Sequence, residues 1–191
     1  MTITENPQPL SDSPSTRPLS IRPEDTKAEL KHRQRIIKVI AKRSFCTLAT
    51  SSPAGRPHTA GVVYVYVDGS LWIHTLRGSR KARSITANGF AAATIAFRRM
   101  PAGPPFTIHF QADAAVVAMD DPEARSRIDA GQLSKISGHG ALDEPDGCFL
   151  QITPRGRIHS YGPGARVLDL ITDPLHHGFA SFPVHGPNHS A

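Results

Sequence analysis

The chain has 191 residues, 39% of them hydrophobic, with 22 Lys and Arg against 16 Asp and Glu for a formal net charge of +6. That length suits one domain with tails and a real core, and the basic balance favours anionic partners. Two separated cysteines without a Cys-x-x-Cys argue against a disulfide scaffold, and no apolar run is long enough for a membrane-spanning helix.

Residues 1–22 are rich in Pro, Ser and Thr and predict a disordered N-terminal arm. The first 23 residues lack the apolar stretch of a secretory signal, which with two reduced, buried thiols predicts a cytoplasmic protein. A helix is expected from Pro23 to about Arg43, with Leu30, Ile36, Ile37 and Ile40 near one face. Lys31, Arg33, Arg35, Lys38, Lys42 and Arg43 surround that face. They read as a solvated surface rather than a nucleic-acid contact.

The period then changes to two. Strands are expected at Phe45–Ser51 and, after a Ser-Pro-Ala-Gly turn, at His58–Val67. Asp68-Gly69 signals a hairpin into a third strand, Leu71–Thr75. A short helix over Ala82–Asn88 leads to a fourth strand, Phe90–Phe97, and a Pro/Gly connection to a fifth, Phe106–Ala118. Asp121-Pro122-Glu123 opens another helix, ending near Gly131. Ser134–Gly147 reads as a long polar loop, Cys148–Thr153 and Arg157–Tyr161 as two last strands, and 173–191 as a flexible His/Pro-rich tail. The domain proper is residues 23–172, mainly β, a small barrel with short helices.

The octet from His74 to Lys81 stands out. A glycine turn, the hydroxyl of Ser79 and the adjacent cations Arg80 and Lys81 fall between a strand and a helix start. Helix N-termini attract anions, and guanidinium and ammonium groups hold phosphate oxygens. A simple serine cap followed by a solvated Arg-Lys pair is the competing reading. Walker A spacing is absent.

The order strand, Gly55-Arg56-Pro57-His58, strand, Asp-Gly, strand, Thr75-x-x-Gly78-Ser79-Arg80-Lys81, helix, strand resembles the pyridoxamine 5′-phosphate oxidase-like superfamily. Phe45–Thr50, Phe110-Gln111, Asp120–Glu123 and Ile152-Thr153-Pro154 add to the match. The resemblance implies an FMN-binding-like split β-barrel, homodimeric, with cofactor sites at the dimer interface. It implies FMN or the 8-hydroxy-5-deazaflavin coenzyme as cofactor, hydride transfer to or from a small organic substrate, and a phosphate site at Ser79, Arg80 and Lys81 with Thr75 beside it. Gln111 would contact the flavin, Tyr161 would border the site from the other subunit, and the backbone near Gly61 and Val62 would face the ring. The second strand lacks the arginine and lysine of the true oxidases, and the tail lacks their Arg-x-His element. The likeness is therefore nearer to the flavin and deazaflavin oxidoreductase branch.

The other histidines and acids leave alternatives open. His74 lines a pocket or simply sits on a half-exposed strand. His109 shares a face with Gln111 by the period-two rule. Arg157 is a candidate flavin-side cation or a surface charge. Gly138-His139-Gly140 has the composition of a lid, and Asp143, Glu144 and Asp146 read as a solvated loop. His176, His177, His185 and His189 are not expected to bind metal. A non-catalytic flavin- or haem-binding barrel remains the second functional class.

Overall fold

The computed structural model describes residues 27–98, 106–138, 140–163, 172 and 178–184. The arm, the Arg99–Pro105 connection, His139 and the four tail histidines lie outside them. The elements are α1 (Lys27–Lys42), β1 (Phe45–Ser51), β2 (Pro57–Val63), β3 (Val65–Val67), β4 (Ser70–Leu76), α2 (Arg80–Asn88), β5 (Phe90–Phe97), β6 (Phe106–Ala118), α3 (Pro122–Asp129), α4 (Ser134–Ser137), a 3-10 turn (Ala141–Asp143), β7 (Gly147–Tyr161) and β8 (Phe179–Pro183). The strands form one antiparallel sheet in the order β2-β1-β5-β6-β7-β4-β3, with β8 on β7. This is the expected mainly β split barrel.

Alternation builds the core. Along β1 and β6 every second residue is buried, so Cys46, Leu48, Ile108, Phe110 and Ala112 face inward. Ile36 and Ile40 of α1, and Ala82 and Ile85 of α2, pack on that interior. Each fully buried isoleucine contributes about 1.5–3 kcal/mol of transfer free energy, against about 1 kcal/mol or less for a surface ion pair. Two isoleucines, rather than its many cations, therefore hold α1 to the barrel. β4 is buried on both faces, because α3 and α4 cover its outer side with Ala124, Leu133 and Ile136 against Trp72 and Phe149. Both cysteines are buried and free, and burial pushes the Cys46 thiol up to about 12.

Four stretches differ from the sequence reading. The long second strand breaks at Tyr64, and its two parts lie at opposite ends of the sheet order, β2 on β1 and β3 on β4. Tyr64 is fully buried at this corner. Its N–H donates to the Ser44 carbonyl at 2.8 Å and its hydroxyl to the Ile40 carbonyl at 2.8 Å. The two last strands are one continuous β7, which shifts register against β6 at Phe110/Gln111 around Gly156 (φ 66°). The long polar loop contains α4 and the 3-10 turn. Within the stretch read as a flexible tail, β8 pairs with β7 and buries Phe182.

Candidate functional site

The split in the barrel makes the first feature of the site. β2 stands at the end of the sheet order and hydrogen-bonds only to β1, leaving its other edge without a strand partner among the described residues. An unpaired edge presents backbone donors and acceptors to whatever lies beside it. A groove of about 370 Å³ opens along this edge, lined by Gly61, Val62 and Val63, by Ile73 and His74 of β4, and by Lys81 and Lys135. His74 Nε2 itself is buried beside Gly147, on the side of the Ala141 turn. Burial lowers the His74 pKa, partly offset by the Ala141 carbonyl and Glu144, so its imidazole favours the neutral form.

The anion loop is built differently from its sequence picture. Ser79 is the N-cap of α2: its Oγ accepts from the Ala82 N–H at 3.3 Å and from the Thr75 hydroxyl at 3.3 Å. The Gly78 N–H donates to Asp146 Oδ2 at 3.0 Å, and the Arg77 N–H to the Asp146 carbonyl at 2.8 Å. Asp146, read from sequence as part of a solvated loop, thus already supplies an anion to the turn. Arg83 donates to the Gly78 carbonyl and holds the turn from the other side. Ser79 and Thr75 shape the loop through each other, and the exposed charge falls to Arg80 and Lys81.

Those two cations line different grooves. Lys81 faces the split with Gly61 and Val62. Arg80 lines a second groove of about 480 Å³ with Arg56, His58 and Arg83, between the β1–β2 turn and α2. His58 Nδ1 is buried without a partner. Gln111 lies in a third groove with His109, Arg155, Arg157 and His159. Tyr161 stacks on Phe179 of β8, ring centroids 4.9 Å apart. One chain therefore brings Gly61, Val62 and Lys81 together, ties Thr75 to Ser79, and leaves Arg80, Gln111 and Tyr161 in other settings. The space above Gly61 is taken by Phe45: a Cβ there would lie 2.6 Å from Phe45 Cζ. Arg56, Lys135 and His159 were missed by sequence reasoning. Arg56 had a signal, since Gly55-Arg56-Pro57-His58 was already recognised; Lys135 and His159 had none before α4 and the β7 register were placed.

Fold and site together define a split barrel with a cationic groove at its open edge. The model of the pyridoxamine 5′-phosphate oxidase family matches residues 33–157. The chain belongs to that family. No curated protein matches it. Among solved structures it is similar to HutZ, the haem storage protein from Vibrio cholerae, at 19% identity over 64% of this chain and 90% of that one, TM-score 0.55. It is also similar to a haem-binding protein from Mycobacterium smegmatis, at 15% identity over 80% of this chain and 57% of that one, TM-score 0.62. A third likeness is an FAD-binding protein from Mesorhizobium loti, at 18% identity over 67% of this chain and 90% of that one, TM-score 0.56. At these identities the likenesses speak to the fold. No described helix is long and apolar enough to cross a membrane, and no cluster of three or more metal-ligating side chains occurs among the described residues.

Proposed function

We propose that the chain is an oxidoreductase that holds a phosphate-bearing flavin, FMN or the 8-hydroxy-5-deazaflavin coenzyme, in the groove along the β2 edge. The observation that carries this reading is the meeting of an unpaired strand edge, Gly61–Val63, with Lys81 in one groove. A flavin-type ring has a polar edge that needs fixed donors and acceptors and a tail phosphate that needs a cation. When bound, such a cofactor supplies hydride transfer. The backbone at Gly61 and Val62 orients the ring edge, and Lys81 holds the phosphate with Arg80 as the neighbouring charge. Buried Val62 and Ile73 exclude water. The FAD-binding neighbour supports a flavin.

The active form in this proposal is a homodimer. Phe45 and Val63 are register partners beside the groove, and both are more than half exposed, an apolar patch suited to a second copy. Gln111 and Tyr161, remote from Lys81 in one chain, would border the site across that interface.

A second reading is a non-catalytic haem-binding barrel, favoured by His74 as a neutral imidazole in the groove and by the two haem-binding neighbours. The deciding experiment titrates the purified chain with FMN, the deazaflavin and haem side by side. The flavin reading expects saturable binding of one flavin that weakens about tenfold or more in Lys81→Ala, the cost of losing one charge-assisted contact. A Soret band that His74→Ala abolishes, with neither flavin bound, would replace it with the haem reading.

A further inference from the structure

The third groove, on the outward face where β5, β6 and β7 meet, encloses about 570 Å³. Its floor is Ala92 with the backbone of Ala93 and Phe110, whose side chains turn into the core. Its walls carry His109, His159, Arg155 and Arg157, and no acidic side chain lines it. The β7 shift makes this convergence, because Gln111 faces Arg155 while Phe110 faces Ile158, so Gly156 and Arg157 are extra residues on one strand. Arg155, Arg157 and His159 are all exposed on the outward side.

The cations are held in place. Arg157 donates from Nε to Ser181 Oγ at 3.1 Å and from one terminal amine to the Ser181 carbonyl at 3.1 Å and Oγ at 2.9 Å. Its other terminal amine has no partner among the described residues. β8 thereby fixes a guanidinium at the groove. Arg155 is paired with Asp113 at 3.0 Å and lies over the Phe90 ring. His109 and His159 are direct register partners, stacked with centroids 5.3 Å apart and planes 10° apart. Two facing imidazoles resist double protonation, and burial together with His159 lowers the His109 pKa. The facing groups from β5 and β8 are Thr94 and Ser181, neither of them charged.

We propose that this groove binds a small organic anion, its carboxylate or phosphate held between Arg157 and the His109–His159 pair and its body over Ala92 and the Gln111 side of the groove. A volume of this size suits an organic molecule. Two guanidiniums beside the imidazoles disfavour a metal cation, and the neighbouring carboxylate, Asp113, is engaged by Arg155. The bound anion supplies the counter-charge the histidine pair lacks, so binding takes up a proton and strengthens as pH falls. Gln111, which the flavin reading places at the cofactor across the dimer interface, lines this groove, so the anion site would adjoin the flavin, and its role as the place of an anionic substrate rests on that reading.

The test is an NMR titration of the histidine ring protons in the full chain with phenyl phosphate and with inorganic phosphate, from about pH 8 to about pH 5.5, the range in which imidazole titrates. Phenyl phosphate is expected to move the His109 and His159 signals together and to raise the apparent pKa of His109, more strongly than inorganic phosphate. Anion taken up at the Arg56–Arg80–Arg83 groove would move His58 instead. Arg157→Gln and His109→Asn are expected to weaken the effect on the pair about tenfold or more. Ser181→Ala keeps every charge and removes the two bonds to Oγ while leaving the one to the carbonyl, so it gives an intermediate loss even if Arg157→Gln disturbs β8. An unmoved histidine pair, equal binding by all variants, or saturable Ni(II) binding at the pair without an anion effect would overturn the proposal. FMN titrations of the same variants separate the two claims: an anion site with no flavin bound sinks only the flavin reading, and bound flavin with a silent histidine pair sinks only this one.

Discussion

Tyr64 shows how a single side chain sets the geometry of the site. Its ring is fully buried, its pKa is raised, by burial first and Cys46 second, and its hydroxyl donates to the Ile40 carbonyl. That bond anchors the end of α1 to the point where the chain leaves β2 for β3. Tyr64→Phe removes the shorter of two bonds to the Ile40 carbonyl, which keeps the Arg43 N–H at 3.3 Å, and is expected to cost about 0.5–1.5 kcal/mol, read as a lower urea midpoint with unchanged slope. An unchanged midpoint would mean that packing alone holds the corner. Lys81→Ala, by contrast, is expected to leave the midpoint within about 0.5 kcal/mol, because it is a surface change away from the core. Under the flavin proposal its effect falls on phosphate affinity, which calorimetry with FMN would read. The adjacent Ser79 and Thr75 show why residue types alone were ambiguous: a serine before a helix fits both a cap and a phosphate ligand, and in the single chain Ser79 caps.

At the scale of elements, Arg127 adds to the packing of Ala124 in holding α3 over the β3–β4 hairpin. Arg127 donates to Asp68 at 2.6 Å and Glu123 at 2.7 Å and lies over the Trp72 ring, 5.2 Å from its centroid. Its side chain is only 15% exposed, so this pair is screened less than a surface one. Arg127→Ala is expected to cost about 1–3 kcal/mol through lost charge-assisted bonds, ring contact and stem packing. Asp68→Ala, at the 71% exposed end, should cost about 1 kcal/mol or less. Equal losses in a denaturation series would show that the ion pair, not the ring contact, carries the docking. Elements were largely legible because alternation and turn chemistry are local: Asp68-Gly69, the Asp121 cap and the strands β1, β5 and β6 all sit where the residues put them. The break at Tyr64 and the continuity of β7 were not. A β-branched run reads as one strand wherever its halves pair, and Pro154 and Gly156 read as a turn although β7 absorbs them.

For the whole molecule, pH acts through histidines that the fold keeps neutral. Burial lowers the pKa values of His32, with Arg35 adding to it, of His74, and of His109 beside His159, all from an ordinary value of 6.5. The unfolded chain therefore takes up protons first as pH falls. The stability these groups contribute is complete above 6.5 and is lost progressively below it. A lower urea midpoint at about pH 5.5 than at about pH 7.5 is expected, with the difference reduced in a His32→Gln/His74→Gln double variant. A midpoint that rises on acidification would contradict this sign. Assembly is testable at the same scale. Phe45→Asp with Val63→Asp adds charge to the exposed patch, and is expected to give a smaller species in sedimentation together with weaker FMN binding, since the proposed cofactor site is shared by two copies. A monomeric natural chain that binds FMN fully would detach the cofactor site from dimerisation.

Sequence alone determined what depends on neighbours along the chain: the strand periodicity, the capped helices, the buried cysteines, the cationic turn and the family likeness that the family-model match establishes. Only the tertiary structure decided what depends on residues far apart. It opened the split by sending Tyr64 between the two ends of the sheet, placed Lys81 and Arg80 in separate grooves, closed Asp146 onto the Gly78 N–H, and used β8 to hold Arg157 beside His109 and His159. The physical reason is that side-chain direction follows from register and helix phase. Both are set by which strands pair and how the core packs, and neither is written in any local window of residues.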